Sequence, residues 1–321
     1  MGYMDSRVVH VDQHLTNVAL AYRPSGFIAE EIAPIVAVAK QSDLLPEWVQ
    51  DDFFRRPTTL RAKSSEAKVV EFQVASQQYF AQNYALKTRL AVEDRENADP
   101  VFATTLDEGR VRFLRDLLAL DQDARVLSQV GSTSNVGSSS NVASSWSTRT
   151  TNSDPVGDIW AVMDNFQSAN AFRPNRILFG NLAWRHFSRH NSVIDKIRAT
   201  ALTGAGLPVR EDDVRTLLEV EKVIVARGYR NTAEEAIAAT YSPIFNDQVL
   251  VYRAPLAPSM EQPSFMYGFR WRRPGLADMQ VERHPFDPKV KAEEIEMGYY
   301  QDELITAARF GWLINGVGSS Q

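Results

Sequence analysis

The chain of 321 residues contains no cysteine, which excludes disulfides, thiolate catalysis and cysteine-ligated metals. It has little charge of either sign in excess, 35 Lys and Arg against 40 Asp and Glu for a net of -5. A nucleic-acid binder working through a basic surface needs clustered cations and is not expected. No run of about 18 apolar residues occurs, so nothing reads as a membrane span. The opening MGYMDSRVVHVDQHL carries acidic residues and no apolar stretch, so it does not read as a signal peptide. These absences point to a soluble protein made in a cytoplasm. Apolar residues at 44% and charged residues at 23% are those of a folded chain, long enough for one large domain or two modest ones.

What is present falls into contrasting parts. Residues 1–58 hold apolar fragments, FIAEEIAPIVAVAK and LLPEWV, interrupted by Pro24, Pro34, Pro46 and Pro57. Each proline removes a donor and restricts its predecessor, so the stretch reads as an extended arm lying along another surface. In residues 59–92, Val70, Phe72 and Val74 alternate, followed by Tyr84, Leu86, Leu90 and Val92. Period two predicts strands, here read as a long, polar two-stranded protrusion. Asp99-Pro100 then opens a helix. Phe102, Leu106, Gly109, Phe113, Leu117, Leu120, Ala124 and Leu127 form an apolar stripe at steps of three or four. The other side carries Glu108, Arg112 and Asp116, with Asp121 and Arg125 as a further i, i+4 pair.

Residues 131–155, GSTSNVGSSSNVASSWSTRTTNSDP, are nearly all Ser, Thr, Asn and Gly. Such a segment buries too little apolar surface to offset its ordering entropy and reads as a loop. Asp154-Pro155 starts a second helix, and RILFG and QVLVYR read as buried strands within an α/β module of about 120 residues. Toward the end, ADMQVERH, the turn PFDPK and KAEEIEMGYYQDELITAARFGWLING predict long strands. In these, Ile295, Met297 and Tyr299 share one face, as do Ala308, Phe310, Trp312 and Ile314 in the last.

Residues that could carry chemistry do not converge. His186 and His190 are four apart on an expected helix, but HFSRH lacks the glutamate of a zinc-protease helix and is flanked by Arg185 and Arg189. His10 and His14 share the spacing in the arm, without a scaffold. LTGAGLP is not followed by the Lys-Ser/Thr of a phosphate loop. Glu294 and Glu296 point to one face of a strand and Glu293 to the other, which reads as a solvated or interface face. No Gly-x-Ser-x-Gly elbow occurs. No enzyme activity, metal or cofactor is expected.

The order of parts resembles the Hong Kong 97-type major capsid proteins of tailed phages. NVALAYRPSGFIAEEIAPIVAV is similar to the arm of such proteins, and YALKTRLAVEDRE to the return of their extended loop into the spine helix. The resemblance implies an α+β chain in four parts. These are an N-arm (1–56), an extended β-hairpin loop (57–92), a peripheral domain (93–153 and 276–321, with its spine helix over 99–130) and an inserted axial domain (154–275). It implies a major capsid protein self-assembling into pentamers and hexamers of an icosahedral shell around double-stranded DNA, held without sequence-specific binding. Assembly would occur in the host cytoplasm, with a separate scaffolding protein (or prior cleavage), a portal and a decoration protein as partners. Inter-subunit contacts are expected at Arg61, Lys63, Lys68, Glu71 and Phe72 of the loop, Arg112 and Asp116 of the helix, and Asp287 and Lys289 of the turn. The type member joins subunits through Lys-Asn isopeptide bonds. Lys63 and Lys68 lie where such a lysine would be, but two lysines suit any polar hairpin, and the loop is read as acting through ion pairs. The competing readings are an encapsulin-type compartment, which shares the fold, a mixed α/β enzyme, which would need a pocket of convergent polar groups, and a phage tail or decoration protein.

Overall fold

The computed structural model describes residues 10–22, 25–48, 56–57, 59–63, 65–70, 74–97, 100–148, 153–200, 208–234, 237–255, 264–273, 277–287 and 291–318. In chain order the elements are β1 (His10–Val11), α1 (Gln13–Ala21), α2 (Ala29–Ile32), β2 (Ile35–Val38), β3 (Ser42–Trp48), β4 (Val74–Phe80), β5 (Gln82–Ala91) and α3 (Val92–Glu96). The 31-residue helix α4 (Pro100–Val130) follows, then β6 (Ser138–Asn141), α5 (Pro155–Asn170), β7 (Arg176–Phe179), α6 (Asn181–Ser188), α7 (Asn191–Thr200), α8 (Glu211–Leu217), β8 (Lys222–Val225), β9 (Tyr229–Asn231), β10 (Tyr241–Pro243) and β11 (Gln248–Tyr252). The chain ends in β12 (Met266–Trp271), β13 (Gln280–Asp287), β14 (Ala292–Ile305) and β15 (Gly311–Asn315).

Two sheets organise these elements. One has the order β1-β13-β14-β12-β2, with β5 pairing the other edge of β14. The expected alternation holds in β14, where Ile295, Met297 and Tyr299 are buried. They meet Leu15 and Ala19 of α1 and Val111, Leu114 and Leu118 of α4 in one apolar cluster. The second sheet runs β6-β15-β11-β7-β8. It is covered on both faces, which explains why RILF and QVLVY are continuous apolar runs and not alternating ones. Ile177, Phe179, Val249 and Val251 face helices α5, α6, α7 and α8, while Leu178, Leu250, Tyr252 and Leu313 face the end of α4. Gly180 lets the turn after β7 lie directly on the Asn246 backbone, where a Cβ would collide.

Several expectations are corrected. The strands expected to pair as a protrusion over 59–92 do not pair with each other: β4 pairs β3 of the arm, and β5 pairs β14. Ala81 alone separates β4 from β5, too short a connection for a hairpin turn, so the chain passes from one sheet to the next. Val70 is exposed and outside any strand, while Phe72 lies outside the described residues.

The expected buried stripe of α4 is on the wrong side. Val111, Leu114, Leu118, Gln122 and Val126 are buried, whereas Phe113 is 57% and Leu117 37% exposed. The helix carries two apolar stripes about half a turn apart, and periodicity does not say which one the sheet covers.

The polar stretch 131–155 is not a bare loop. Ser138–Asn141 adds a parallel strand to β15, Trp312 donates its indole N–H to Ser140, and Trp146 is fully buried with its indole N–H on Asp158 at 2.9 Å. Backbone pairing and one tryptophan order it, a contribution that composition does not register. Helix α6 begins at Asn181, with Gly180 in the capping position.

β15 lies between β6 and β11 in the five-stranded sheet and not in the sheet of β14, and β12, within 154–275, pairs β14 and β2. Ala308 and Phe310 belong to a short 3-10 turn that redirects the chain, so the alternation expected through Ile314 breaks there.

Phe166 of α5 is fully buried where the end of α4 meets the five-stranded sheet. Phe166→Ala is expected to destabilise the fold by about 3–5 kcal/mol, measured as a shift of the denaturant midpoint at unchanged slope.

Candidate functional site

Nothing among the described residues assembles as a catalytic or metal centre. No group of three or more His, Asp or Glu side chains could hold a metal there. His190 is buried and its Nδ1 pairs with the Ser192 hydroxyl at 2.8 Å beside the start of α7, a structural use. The glutamates singled out on β14 are each engaged from a neighbouring strand: Glu293 by Arg283 at 3.2 Å, Glu294 by Lys87 at 2.9 Å and Arg89 at 2.7 Å, and Glu296 by the His284 ring at 3.0 Å. They join neighbouring strands and are not an acid/base pair.

The structure instead builds a clamp at the junction of α4, the arm and both sheets. Asp123 of α4 is fully buried and accepts the backbone N–H groups of Ala29 at 2.6 Å and Ile28 at 3.0 Å. It thereby satisfies donors that the four-residue helix α2 leaves open. Burial pushes its carboxyl up to about 6, against the opposing pull of those N–H groups. The two glutamates of α2 reach apart. Glu30 meets Arg270 of β12 at 3.5 Å, and Glu31 meets Lys222 of β8 at 3.1 Å. The Glu31 carbonyl accepts from Arg176 of β7 at 2.7 Å. One short helix of the arm is thus bonded to the long helix and to both sheets.

A second network starts two residues further along α4. Arg125 donates to Glu303 at 2.9 Å, to Tyr299 Oη at 3.3 Å and to Asp121, and stacks over the Tyr84 ring at 3.6 Å. Glu303, whose side chain is 2% exposed, also accepts from Gln301 at 2.9 Å, and Gln301 Oε1 accepts from Arg270. The i, i+4 spacing of Asp121 and Arg125 reads as a surface pair, yet Arg125 turns inward. A carboxylate on the distant strand β14 decides this.

The sites expected from sequence separate into two groups. Arg112 pairs with Glu108 at 3.2 Å, and Asp116 accepts the Tyr22 hydroxyl at 3.1 Å, both within the chain and on the flank of α4 that α1 covers. Arg61, Lys63 and Lys68 lie in the exposed segment between β3 and β4, where Arg61 Nε donates to the Ser65 carbonyl. Asp287 ends β13 opposite Ala292. Glu71, Phe72 and Lys289 fall outside the described residues.

This architecture has known counterparts. Residues 131–259 match the family described as Phage major capsid protein E. The chain is similar over nearly its whole length to the major capsid protein of Burkholderia phage BcepMu, at 24% identity over 97% of this chain and 98% of that one. What the chain resembles along nearly all its length is therefore a phage major capsid protein. A phage-related protein from Bordetella bronchiseptica RB50 shares the fold, with TM-score 0.74 and 17% identity over 98% of this chain and 99% of that one. So does the capsid structure of cyanophage P-SCSP1u, with TM-score 0.59 and 10% identity over 93% and 90%. An encapsulin from Synechococcus elongatus is also similar in fold, with TM-score 0.53 and 11% identity over 97% and 98%. The chain therefore has the Hong Kong 97-type fold of phage capsids, and the curated relative it resembles is a major capsid protein.

Two predictions follow from the anchoring groups. Arg125→Met leaves Glu303 buried without its cation and is expected to cost about 3 kcal/mol, read from denaturant unfolding of the chain. The cations Arg89 and Lys87 hold the Glu294 carboxyl down at about 2, below its ordinary 4.5. The stabilisation from this lowered value is fully present above pH 4.5 and is lost as pH falls toward 2. Replacing Lys87 and Arg89 by alanine should flatten that acid limb of the stability curve, and an unchanged limb would refute the assignment.

Proposed function

We propose that the capsid protein builds a closed icosahedral shell of pentamers and hexamers that encloses double-stranded DNA. The reading rests first on the protrusion. β3 and β4 form a two-stranded stem in which Leu45 and Tyr79 pack inward beside Phe269. Beyond the stem, Leu60, Val69 and Val70 are exposed, and Leu44 and Phe80 are exposed on its outer face. A two-stranded ribbon is marginal by itself in water, and this one presents apolar side chains with no cover among the described residues. Repeated head-to-tail contacts between identical copies would cover them in every copy at once.

In this reading residues 1–56 are the arm, and its strand β3 pairs with β4 to form the stem of the extended loop. The six-stranded sheet with α4 is the peripheral domain, and the five-stranded sheet with its helices is the axial domain, which meets its copies at the capsomer centre. A net charge of -5 suits an inner surface that holds DNA loosely, without sequence readout. A separate scaffolding protein, a portal and a decoration protein are the expected partners, and assembly takes place in the host cytoplasm before the shell becomes the virion head.

Expressing the chain alone and together with its neighbouring phage genes tests this directly by negative-stain microscopy and size-exclusion chromatography. Closed shells or five- and six-membered rings are expected. A monodisperse monomer or dimer in both cases would overturn the proposal. Shells that enclose a protein cargo and no DNA would favour an encapsulin-type role.

A further inference from the structure

The seat of α2 on α4 is built on a carboxylate with no cation. Asp123 is fully buried, and among the described residues it bonds only to the backbone N–H groups of Ile28 and Ala29. These open α2, a helix of four residues, far too short to hold its shape by its own backbone bonds. Its neighbours Ala29, Ile32, Val126 and Leu127 belong to the apolar core.

The charged groups packed around this contact are engaged elsewhere or repel it. Glu30 and Glu31 stand on the very helix that Asp123 holds, and each disfavours a further negative charge beside it. From β12, Arg270 turns to Glu30 and Gln301. From β8, Lys222 pairs with Glu31, and Arg176 of β7 donates to the Glu31 and Pro255 carbonyls. Along α4 the neighbour Gln122 is buried and neutral, and Arg125 is taken by Glu303 and Asp121. On the remaining side a Cβ at Gly228 would stand 3.8 Å from Asp123 Oδ2, and Arg227 beside it pairs with Glu211.

The hydrogen bonds leave a place for a proton. Oδ1 accepts from Ala29 at 2.6 Å and from Ile28 at 3.0 Å, while Oδ2 has one longer contact of 3.2 Å to Ile28. A neutral carboxyl protonated on Oδ2 keeps both bonds at Oδ1. An ionised one keeps them too, but as a charge in an apolar site without a counter-ion. Burial outweighs the two N–H groups, and the carboxyl is pushed up to about 6 from its ordinary 3.8. Lifting α2 would admit water and restore the ordinary value.

We propose that Asp123 makes the seat of α2 on α4 a proton-operated latch, in which the neutral carboxyl holds the arm tightly and the ionised carboxyl holds it loosely. The latch lies within one chain and does not rest on the shell reading. Its sign follows from linkage. The seated form has the raised value, so its advantage is complete below pH 3.8 and is lost as pH rises through 6. Between pH 5 and pH 7 the seat weakens by about tenfold. At neutral pH the arm is then the part of the chain readied to open locally, with both sheets still folded.

Hydrogen exchange of the full chain tests this at amides 28–33, after correction for the intrinsic pH dependence of exchange. Protection there should rise about tenfold from pH 7 to pH 5, while the amides of β7 and β11 stay unchanged. The Glu294 pairs do not interfere in this range, since that carboxyl titrates at about 2. Asp123→Asn keeps an oxygen acceptor and removes the proton step, so its protection at 28–33, whatever its level, should be flat with pH. A pH response in Asp123→Asn equal to that of the unaltered chain overturns the latch. So does an equal response in every core amide, because the arm would then open only when the whole chain unfolds.

Asp123→Asn also buries an additional amide donor, so a second measurement uses the unaltered chain. The carboxyl carbon of Asp123, followed by nuclear magnetic resonance, should titrate near pH 6. A carboxyl still ionised at pH 5 removes the proton on which the proposal depends.

Discussion

The structure depends on one helix serving two sheets at once. The first half of α4 lies on β13 and β14 through Val111, Leu114 and Leu118, and its last turns enter the core of the five-stranded sheet through Val126, Leu127 and Val130. At about 1.5 Å per residue its 31 residues span roughly 45 Å, so the two sheets are held apart and joined by a single rod. Neither sheet can shift along α4 without breaking close-packed contacts.

The arm locks that arrangement. Ile32 and Ala33 are buried in the cluster that also takes in the end of α4, β7, β11 and β12, and the Asp123 carboxylate receives the backbone just before them. A buried carboxylate with no partner would be strongly unfavourable; here it is matched to N–H donors that α2 cannot satisfy internally. The Arg125, Glu303, Gln301 and Arg270 chain does for the six-stranded sheet what Asp123 does for the arm. Each polar group sits in the low-dielectric interior only because its partner is placed there by a different element. The junction is therefore specific as well as strong, which suits a subunit whose two halves must keep a defined relation when copies close into a shell.

Much of this was legible in the residues. The start of α4 at Pro100, the buried alternation Ile295, Met297 and Tyr299, and the buried strands RILF and QVLVY are local patterns, and local patterns survive into the fold. The whole-chain order of arm, protrusion, long helix and α/β module was enough to suggest the capsid family. Of the expected contact residues, Arg61, Lys63 and Lys68 do stand exposed on the protrusion, while Arg112 and Asp116 are taken up within the chain by Glu108 and Tyr22. Asp123 and Glu303 were not singled out, because a carboxylate in a polar-looking stretch carries no sign of the donor that will meet it.

The sequence by itself determined which segments become helix or strand, and that no membrane span or cysteine-based chemistry is built in, since these follow from neighbours a few residues apart. Only the tertiary structure decided the pairings. β3 found β4 across the protruding segment, and β5 found β14 some 200 residues on. β15 crossed from the sheet of β14 to the other, drawing the serine-rich stretch 138–141 into a strand beside it. Likewise α4 had two apolar stripes to choose from, and the sheet beneath it settled the choice. Strand partners and helix faces are selected by the total apolar surface a whole arrangement can bury, and that quantity exists only once all the segments are in place.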